Sequence, residues 1–288
     1  RMKIADNTLQ EVVNYIDAQL ESRYNKSEIK SVQRQLIEHY YHLSPARQIV
    51  ENEMRFSESE LLKIIYAMKE MKDGIPLQYV VGDAEFCGRI FKVNKNVLIP
   101  RPETEELVQW FLEDNESTIP AVLDIGTGSG CIPITLKCEL PEGKISACDV
   151  SMNVLKVALS NEKLNHVEID WYILDVLSSN QPFKENQFDT IISNPPYVLK
   201  SDMASMDANV LENEPHLALF VEDEDPLVFY KAIAEKSKIW LRPEGKIFFE
   251  IHEKKGKEVV DLLTEMGYQD VELRKDMSGK DRMVKASI

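Results

Sequence analysis

No apolar run in this 288-residue chain approaches the ~18–20 residues that a membrane-spanning helix needs. Cysteine is sparse. Cys87, Cys131, Cys138 and Cys148 include no C-x-x-C pair, and their spacing fits no zinc pattern. They read as small buried hydrophobes of a reducing compartment, and no metal is expected. Positive charge is scarce as well: 34 Lys and Arg stand against 49 Asp and Glu, a net charge of −15. A protein that grips nucleic acid through its phosphates needs a basic face. The main Lys cluster is Lys254-Lys255-Gly256-Lys257, which reads as a solvated helix start, so stable nucleic-acid binding is not expected. The opening residues, Arg1-Met2-Lys3-Ile4-Ala5-Asp6, lack a leader pattern; with Arg1 set aside, the expectation is a cytoplasmic chain. Internal repeats and low-complexity segments are missing too. What remains, 43% hydrophobic and 29% charged, is the composition of a globular protein long enough for two domains.

Residues 2 to about 75 read as helices. Leu9, Val12, Val13, Ile16 and Leu20 recur at helical spacing, as do Ile29, Val32, Leu36 and Tyr40. Ser44-Pro45 reads as an N-cap followed by proline at the first helical position. Ser57 and Glu60 form a capping box, and Gly74 and Pro76 close the region. Phe86 to Val93 alternates around a central glycine and predicts a short hairpin. Pro102, with Glu103, Glu105 and Glu106, suits the start of a helix running to about Asn115. From about 120 the pattern changes again. Strands are predicted at Ala121–Ile125, Lys144–Asp149, Ile169–Leu174, Phe188–Ser193 and Lys246–Ile251. Helices are predicted at Met152–Lys163, Pro226–Trp240 and Lys257–Met266. That alternation argues for an α/β, doubly wound parallel sheet. Asp270–Arg274 and Met283–Ala286 add a terminal antiparallel hairpin.

The first strand runs Val122-Leu123-Asp124-Ile125 and breaks into Gly126-Thr127-Gly128-Ser129-Gly130 before a helix. Glycines here allow close approach of backbone to a ligand. The spacing is G-x-G-x-G, not the G-x-G-x-x-G of dinucleotide enzymes, whose pyrophosphate sits on the helix N-terminus. S-adenosylmethionine has no pyrophosphate. A lone glycine loop is a weak signal, often no more than a turn. It is joined here by Asp149 at the second strand end, suited to ribose hydroxyls, and by Asp175 at the third, on the adenine side. Asp124 would orient the loop or a methionine amino group.

Asn194-Pro195-Pro196-Tyr197 follows the strand Phe188–Ser193. Two prolines remove two backbone N–H groups, so the strand end is rich in acceptors: the Asn194 side-chain oxygen and the Pro195 carbonyl. Such a pocket suits a substrate –NH2, with two protons to donate, and Tyr197 can stack on its plane. The bland alternative is a strand-terminating turn without chemistry.

Together these residues resemble the HemK/PrmC release-factor glutamine methyltransferases, over nearly the whole chain. The resemblance is carried by Gly74-Ile75-Pro76-Leu77-Gln78-Tyr79 with Gly82, Phe86, Gly88 and Phe91, and by Val97-Leu98-Ile99-Pro100-Arg101-Pro102-Glu103-Thr104-Glu105. Leu123 to Gly130, Asp149-Val150-Ser151, Ser193 to Tyr197, Glu214-Pro215 with Ala218-Leu219, Glu250-Ile251 and Asp281-Arg282 also match. It implies a small N-terminal helical domain (1–75) that contacts the release factor, a connector with a β-hairpin (76–99), and a Rossmann-like seven-stranded methyltransferase domain (100–288). The implied cofactor is S-adenosyl-L-methionine, with S-adenosyl-L-homocysteine as product. The implied activity is methylation of the glutamine side-chain nitrogen in the Gly-Gly-Gln motif of bacterial class 1 peptide chain release factors, a protein methylation in translation termination. Carried over by position, Asp124, Ile125, Gly126, Thr127, Gly128, Asp149, Val176 and Asn194 would contact the cofactor, and the loop and strand-end reading above adds Gly130 and Asp175. Asn194, Pro195, Pro196 and Tyr197 would hold the glutamine, with Asn194, Pro195 and Tyr197 as the catalytic group. Three departures concern the rim: Pro133 after the glycine loop, the acidic run Glu222-Asp223-Glu224-Asp225, and His252 where glycine is usual.

An amide nitrogen is a poor nucleophile, because its lone pair is delocalised. Asn194 Oδ1 and the Pro195 carbonyl would grip its two protons and favour charge developing on nitrogen. No strong general base is required and no histidine is an obvious one; His216 and His252 are weak candidates, since a lone His is more often structural. An adenine-N6 nucleic-acid methyltransferase shares this pocket logic, but net charge and the missing basic segment oppose it. A non-catalytic S-adenosylmethionine-binding module acting on a translation factor is the other alternative. An NAD oxidoreductase fails on glycine spacing.

Overall fold

The computed structural model describes residues 6–206 and 208–288. The expectations placed on residues 1–5 lie outside them. The chain divides into two compact units, one of residues 1–82 with 208–213, the other of 83–207 with 214–288.

The first unit holds α1 (Leu9–Leu20), α2 (Lys26–Tyr41), α3 (Pro45–Val50), α4 (Glu58–Lys72) and α5 (Leu77–Val81). Each helix start has a local cause. Asn25 and Ser57 form capping boxes with Glu28 and Glu60, satisfying amides that the first turn leaves open. Pro45 occupies the first turn of α3, but Ser44 makes no side-chain cap bond. The stripe Leu9, Val12, Ile16 and Leu20 packs with Ile29, Leu36, Ile64 and Met68 into one core. α4 ends at Lys72, with Gly74 left-handed at φ 88° just beyond it, but the helical region continues: Pro76 caps α5, which stops where Gly82 turns left-handed at φ 78°. Glycine thus closes one helix and proline starts the next.

The second unit opens with the hairpin β1 (Asp83–Phe86) and β2 (Arg89–Lys92), then α6 (Pro102–Asp114), β3 (Ala121–Ile125), α7 (Cys131–Glu139), β4 (Lys144–Asp149), α8 (Met152–Leu164), β5 (Asp170–Ile173) and β6 (Phe188–Ser193). There follow β7 (Val198–Leu199), a 3₁₀ turn (Lys200–Ser205), α9 (Ala208–Asn213, in the first unit), α10 (His216–Leu219) and β8 (Phe220–Val221). The chain closes with α11 (Val228–Trp240), β9 (Leu241–Glu250), α12 (Gly256–Glu265), β10 (Gln269–Lys275) and β11 (Asp281–Ser287).

Seven strands form one sheet in the order β10-β11-β9-β6-β3-β4-β5. From β9 to β5 the neighbours are parallel; β11 and β10 add the antiparallel edge. The strands are apolar on both faces because both are covered. Val122, Ile192 and Phe248 point into a core with α6, α7 and the hairpin. Leu123, Ile191 and Phe249 point into another, with α11 and α12. β9 starts five residues before the predicted Lys246: Leu241 pairs with Phe188, and Glu244 takes φ 63° to absorb a register shift. The short parallel pair of β7 and β8 and the helices α9 and α10 carried no periodic signal. Strand order reverses between β3 and β6, so the crevice of a doubly wound sheet falls between their carboxyl ends.

Candidate active site

The glycine turn and Asn194-Pro195-Pro196-Tyr197 flank that crevice. After β3 the chain turns at Gly126 and Gly128, with φ of 75° and 56°, and a Cβ at either would project into open space. Gly126 and Thr127 donate backbone bonds to the Cys148 carbonyl at 3.0 Å, tying the turn to β4. Gly130 caps α7 at φ 81°, where a Cβ would meet Ile134 and Trp171 at 3.1 Å. Pro133 falls in the first turn of α7, where its missing N–H costs nothing.

Asp124, the penultimate residue of β3, is fully buried, and neither carboxylate oxygen has a hydrogen-bond partner among the described residues. Burial pushes its carboxyl up to about 7; the neighbouring Thr127 hydroxyl tempers this without completing a bond, and Asp149 adds to it. The Thr127 and Ser129 hydroxyls are also buried without a hydrogen-bond partner among the described residues. A buried unpartnered carboxylate beside an open cradle suits a ligand's positively charged group.

Asp149 ends β4. It accepts bonds from the amides of Gly128 at 3.2 Å and Ser151 at 3.1 Å. Burial raises its pKa, and those amides hold it back. Ile125 is buried, and its carbonyl takes the Ser193 hydroxyl at 2.6 Å, joining β3 to β6. Asp175 does not end β5; the strand stops at Ile173, and Asp175 lies in the following turn, exposed, accepting the Leu177 amide at 2.9 Å. Val176 beside it is buried. The structure thus joins Gly128 to Asp149 directly, while among the described residues Asp175 bonds only within its own turn.

Beyond β6, Pro195 is buried and Asn194, Pro196 and Tyr197 are half-buried. Asn194 Nδ2 lies 3.2 Å from Thr104 Oγ1. Thr104 donates to Glu250 Oε2 at 2.6 Å, and the Tyr197 hydroxyl donates to Glu250 Oε1 at 2.8 Å. Burial and the Glu250 carboxylate raise the Tyr197 phenol well above its ordinary value, so it remains a donor. In the sequence, Thr104 and Glu250 are only letters of the motifs that carry the resemblance. Their position at a helix start and a strand end was visible, but their meeting was not.

The motif around Arg101 is held likewise. Glu214 is buried, pairs with Arg101 at 2.5 Å and accepts the Ile99 amide at 3.2 Å. His252 sits 3.6 Å from Asp202, with burial lowering its pKa, and its ring lies edge-on to Tyr197 at 6.0 Å. His216 is exposed and packs against Phe220. The acidic run Glu222–Asp225 is exposed; Asp223 accepts from Ser201, and Glu222 pairs with Lys200. The four cysteines are free, with Cys131 and Cys148 buried and Cys87 and Cys138 partly so.

Sheet order, glycine turn and strand-end residues define a Rossmann-like methyltransferase. Residues 103–216 match the methyltransferase small domain, and residues 11–82 match the PrmC N-terminal domain. The release factor glutamine methyltransferase of Flavobacterium psychrophilum is 40% identical over 93% of this chain and 95% of its own length. That of Bacteroides thetaiotaomicron is 44% identical over 79% of this chain and 80% of its own. A methyltransferase from Pyrococcus furiosus, 16% identical, covers 80% of this chain and 98% of its own at a TM-score of 0.51, which shows the fold alone. This chain belongs to the release factor glutamine methyltransferase family. Among the described residues no helix is long and apolar enough to cross a membrane.

Proposed function

We propose that this protein methylates the side-chain amide nitrogen of the glutamine in the Gly-Gly-Gln motif of class 1 peptide chain release factors, in the cytoplasm, with S-adenosylmethionine as donor. The observation that carries the reading is the acceptor-rich Asn194-Pro195-Pro196-Tyr197 corner, set at the switch point beside the glycine turn and the unpartnered Asp124 carboxylate.

The residues present fit that donor. Asp124 would face its amino group, the turn from Ile125 to Gly130 its methionine portion, Asp149 its ribose, and Asp175 with Val176 its adenine side. When bound, S-adenosylmethionine supplies an already activated methyl group. The chain's own task is positioning. Asn194 Oδ1 and the Pro195 carbonyl accept the two protons of the target amide, which turns the nitrogen lone pair toward the crevice. Both acceptors gain strength as the nitrogen becomes positive, so they favour the transition state over the bound substrate. The Tyr197 ring lies against the amide plane. The nitrogen's surplus proton passes to water, and neither His216 nor His252 is needed for it. In this reading the helical unit contacts the release factor, and nucleic acid is not a lasting partner.

The test is a transfer assay with labelled S-adenosylmethionine. It offers a class 1 release factor, the same factor with its Gly-Gly-Gln glutamine changed to alanine, and duplex DNA. Label on the unaltered factor alone is the expected result. Label on DNA would move the activity to adenine, and binding without transfer to any of them would leave a non-catalytic module.

A further inference from the structure

Resting on the glutamine reading above, we infer that Glu250 and Thr104 are positioning residues: together they fix which way round the Asn194 amide faces the substrate.

Asn194 follows β6, and Glu250 ends β9. These strands are parallel neighbours with Ser193 paired to Phe249, so the two residues emerge side by side. Thr104 comes from the first turn of α6, placed there by Pro102 at the helix start. Glu250 is 1% exposed and Thr104 3%, so water does not compete for their bonds.

The proton inventory then decides the orientation. A primary amide has two faces of similar shape and opposite chemistry: the oxygen accepts and the nitrogen donates. The Glu250 carboxylate only accepts. Its two oxygens take the hydroxyl protons of Thr104 at 2.6 Å and Tyr197 at 2.8 Å. Thr104 has one proton, now committed, so its oxygen can only accept from Asn194. The amide must therefore turn Nδ2 to Thr104, as the 3.2 Å contact records. Oδ1 is left without a partner among the described residues, on the side where an acceptor is required. Were the chain reversed, Thr104 would donate to Oδ1, and Asn194 would show a donor to a substrate that itself donates. One carboxylate thus orients Asn194 through Thr104 and anchors Tyr197 directly, the two ends of the four-residue corner. Burial raises the Glu250 pKa, while the two hydroxyls and Arg282 favour its ionised form.

The test measures turnover on a release factor, S-adenosylmethionine affinity and melting temperature for Thr104→Val, Thr104→Ser, Glu250→Gln and Asn194→Ala. Valine keeps the shape of Thr104 and removes the acceptor. T104V should lower kcat by about ten- to a hundredfold, toward the N194A level, with cofactor Kd within about twofold. T104S, which keeps the hydroxyl, should restore most of the rate. E250Q, whose amide must donate to one of the two hydroxyls, should lower kcat at unchanged cofactor affinity. Wild-type kcat in T104V would overturn the inference. So would equal loss in T104V and T104S, or cofactor affinity falling in step with rate, since each marks a packing role. A wild-type protein that binds S-adenosylmethionine yet never methylates the glutamine would sink the functional reading itself, and the inference with it.

Discussion

Asp124 is held at a cost to the folded protein. Its carboxyl titrates at about 7 when folded, against roughly 4 in an unfolded chain. The folded state therefore binds a proton that the unfolded state releases, and stability falls as pH rises from about 4 to 7, then levels off. Asn in its place removes the buried charge. Asp124→Asn is expected to melt higher than wild type without ligand near pH 8, by roughly 2 kcal/mol, with the gap closing toward about pH 5. It should also bind S-adenosylmethionine about tenfold or more weakly. Thermal melts at both pH values with ligand titration check this. A variant that melts lower at about pH 8 would mean that Asp124 is partnered and structural.

At the scale of elements, Asn161 binds three pieces together. Its amide donates to the carbonyls of Lys92 at 2.9 Å and Ser129 at 2.8 Å and accepts the Lys92 amide at 2.5 Å. The hairpin, the glycine turn and α8 thus share one fully buried side chain. Asn161→Ala leaves three backbone groups unsatisfied and should cost roughly 3 kcal/mol, measured by denaturant unfolding. A loss below about 1 kcal/mol would show that water replaces it. The limits of β3, β4 and β6 were legible from their apolar runs, because strands buried on both faces leave an uninterrupted signature. The start of β9 was not. β9 starts early because Leu241 pairs with Phe188, and Arg242-Pro243-Glu244-Gly245 bulges out before pairing resumes between Lys246 and Thr190.

For the whole molecule, the helical unit has its own core around Val12, Ile16, Leu36 and Ile64, and the sheet unit has two cores of its own. Separate cores are expected to melt as separate calorimetric transitions. S-adenosylmethionine at about a hundred times its Kd should stabilise the sheet unit by about 2.7 kcal/mol and leave the other transition in place. A single transition moving as one would show that the two cores unfold together.

Sequence by itself determined most of the strands and helices and the chemistry at the ends of β3, β4 and β6. Periodicity writes a strand or a helix into neighbouring residues, and Gly126, Gly128, Asp149 and Asn194 announce themselves by where a strand stops. Tertiary structure alone decided which of those ends meet. Thr104 and Glu250 lie 146 positions apart, and Arg101 and Glu214 lie 113 apart. No local pattern links them, because a buried hydrogen bond is set by strand order and the lack of competing water. The orientation of Asn194 therefore had to wait for the fold: the amide is the same in either direction until Thr104, with its single proton given to Glu250, can only accept.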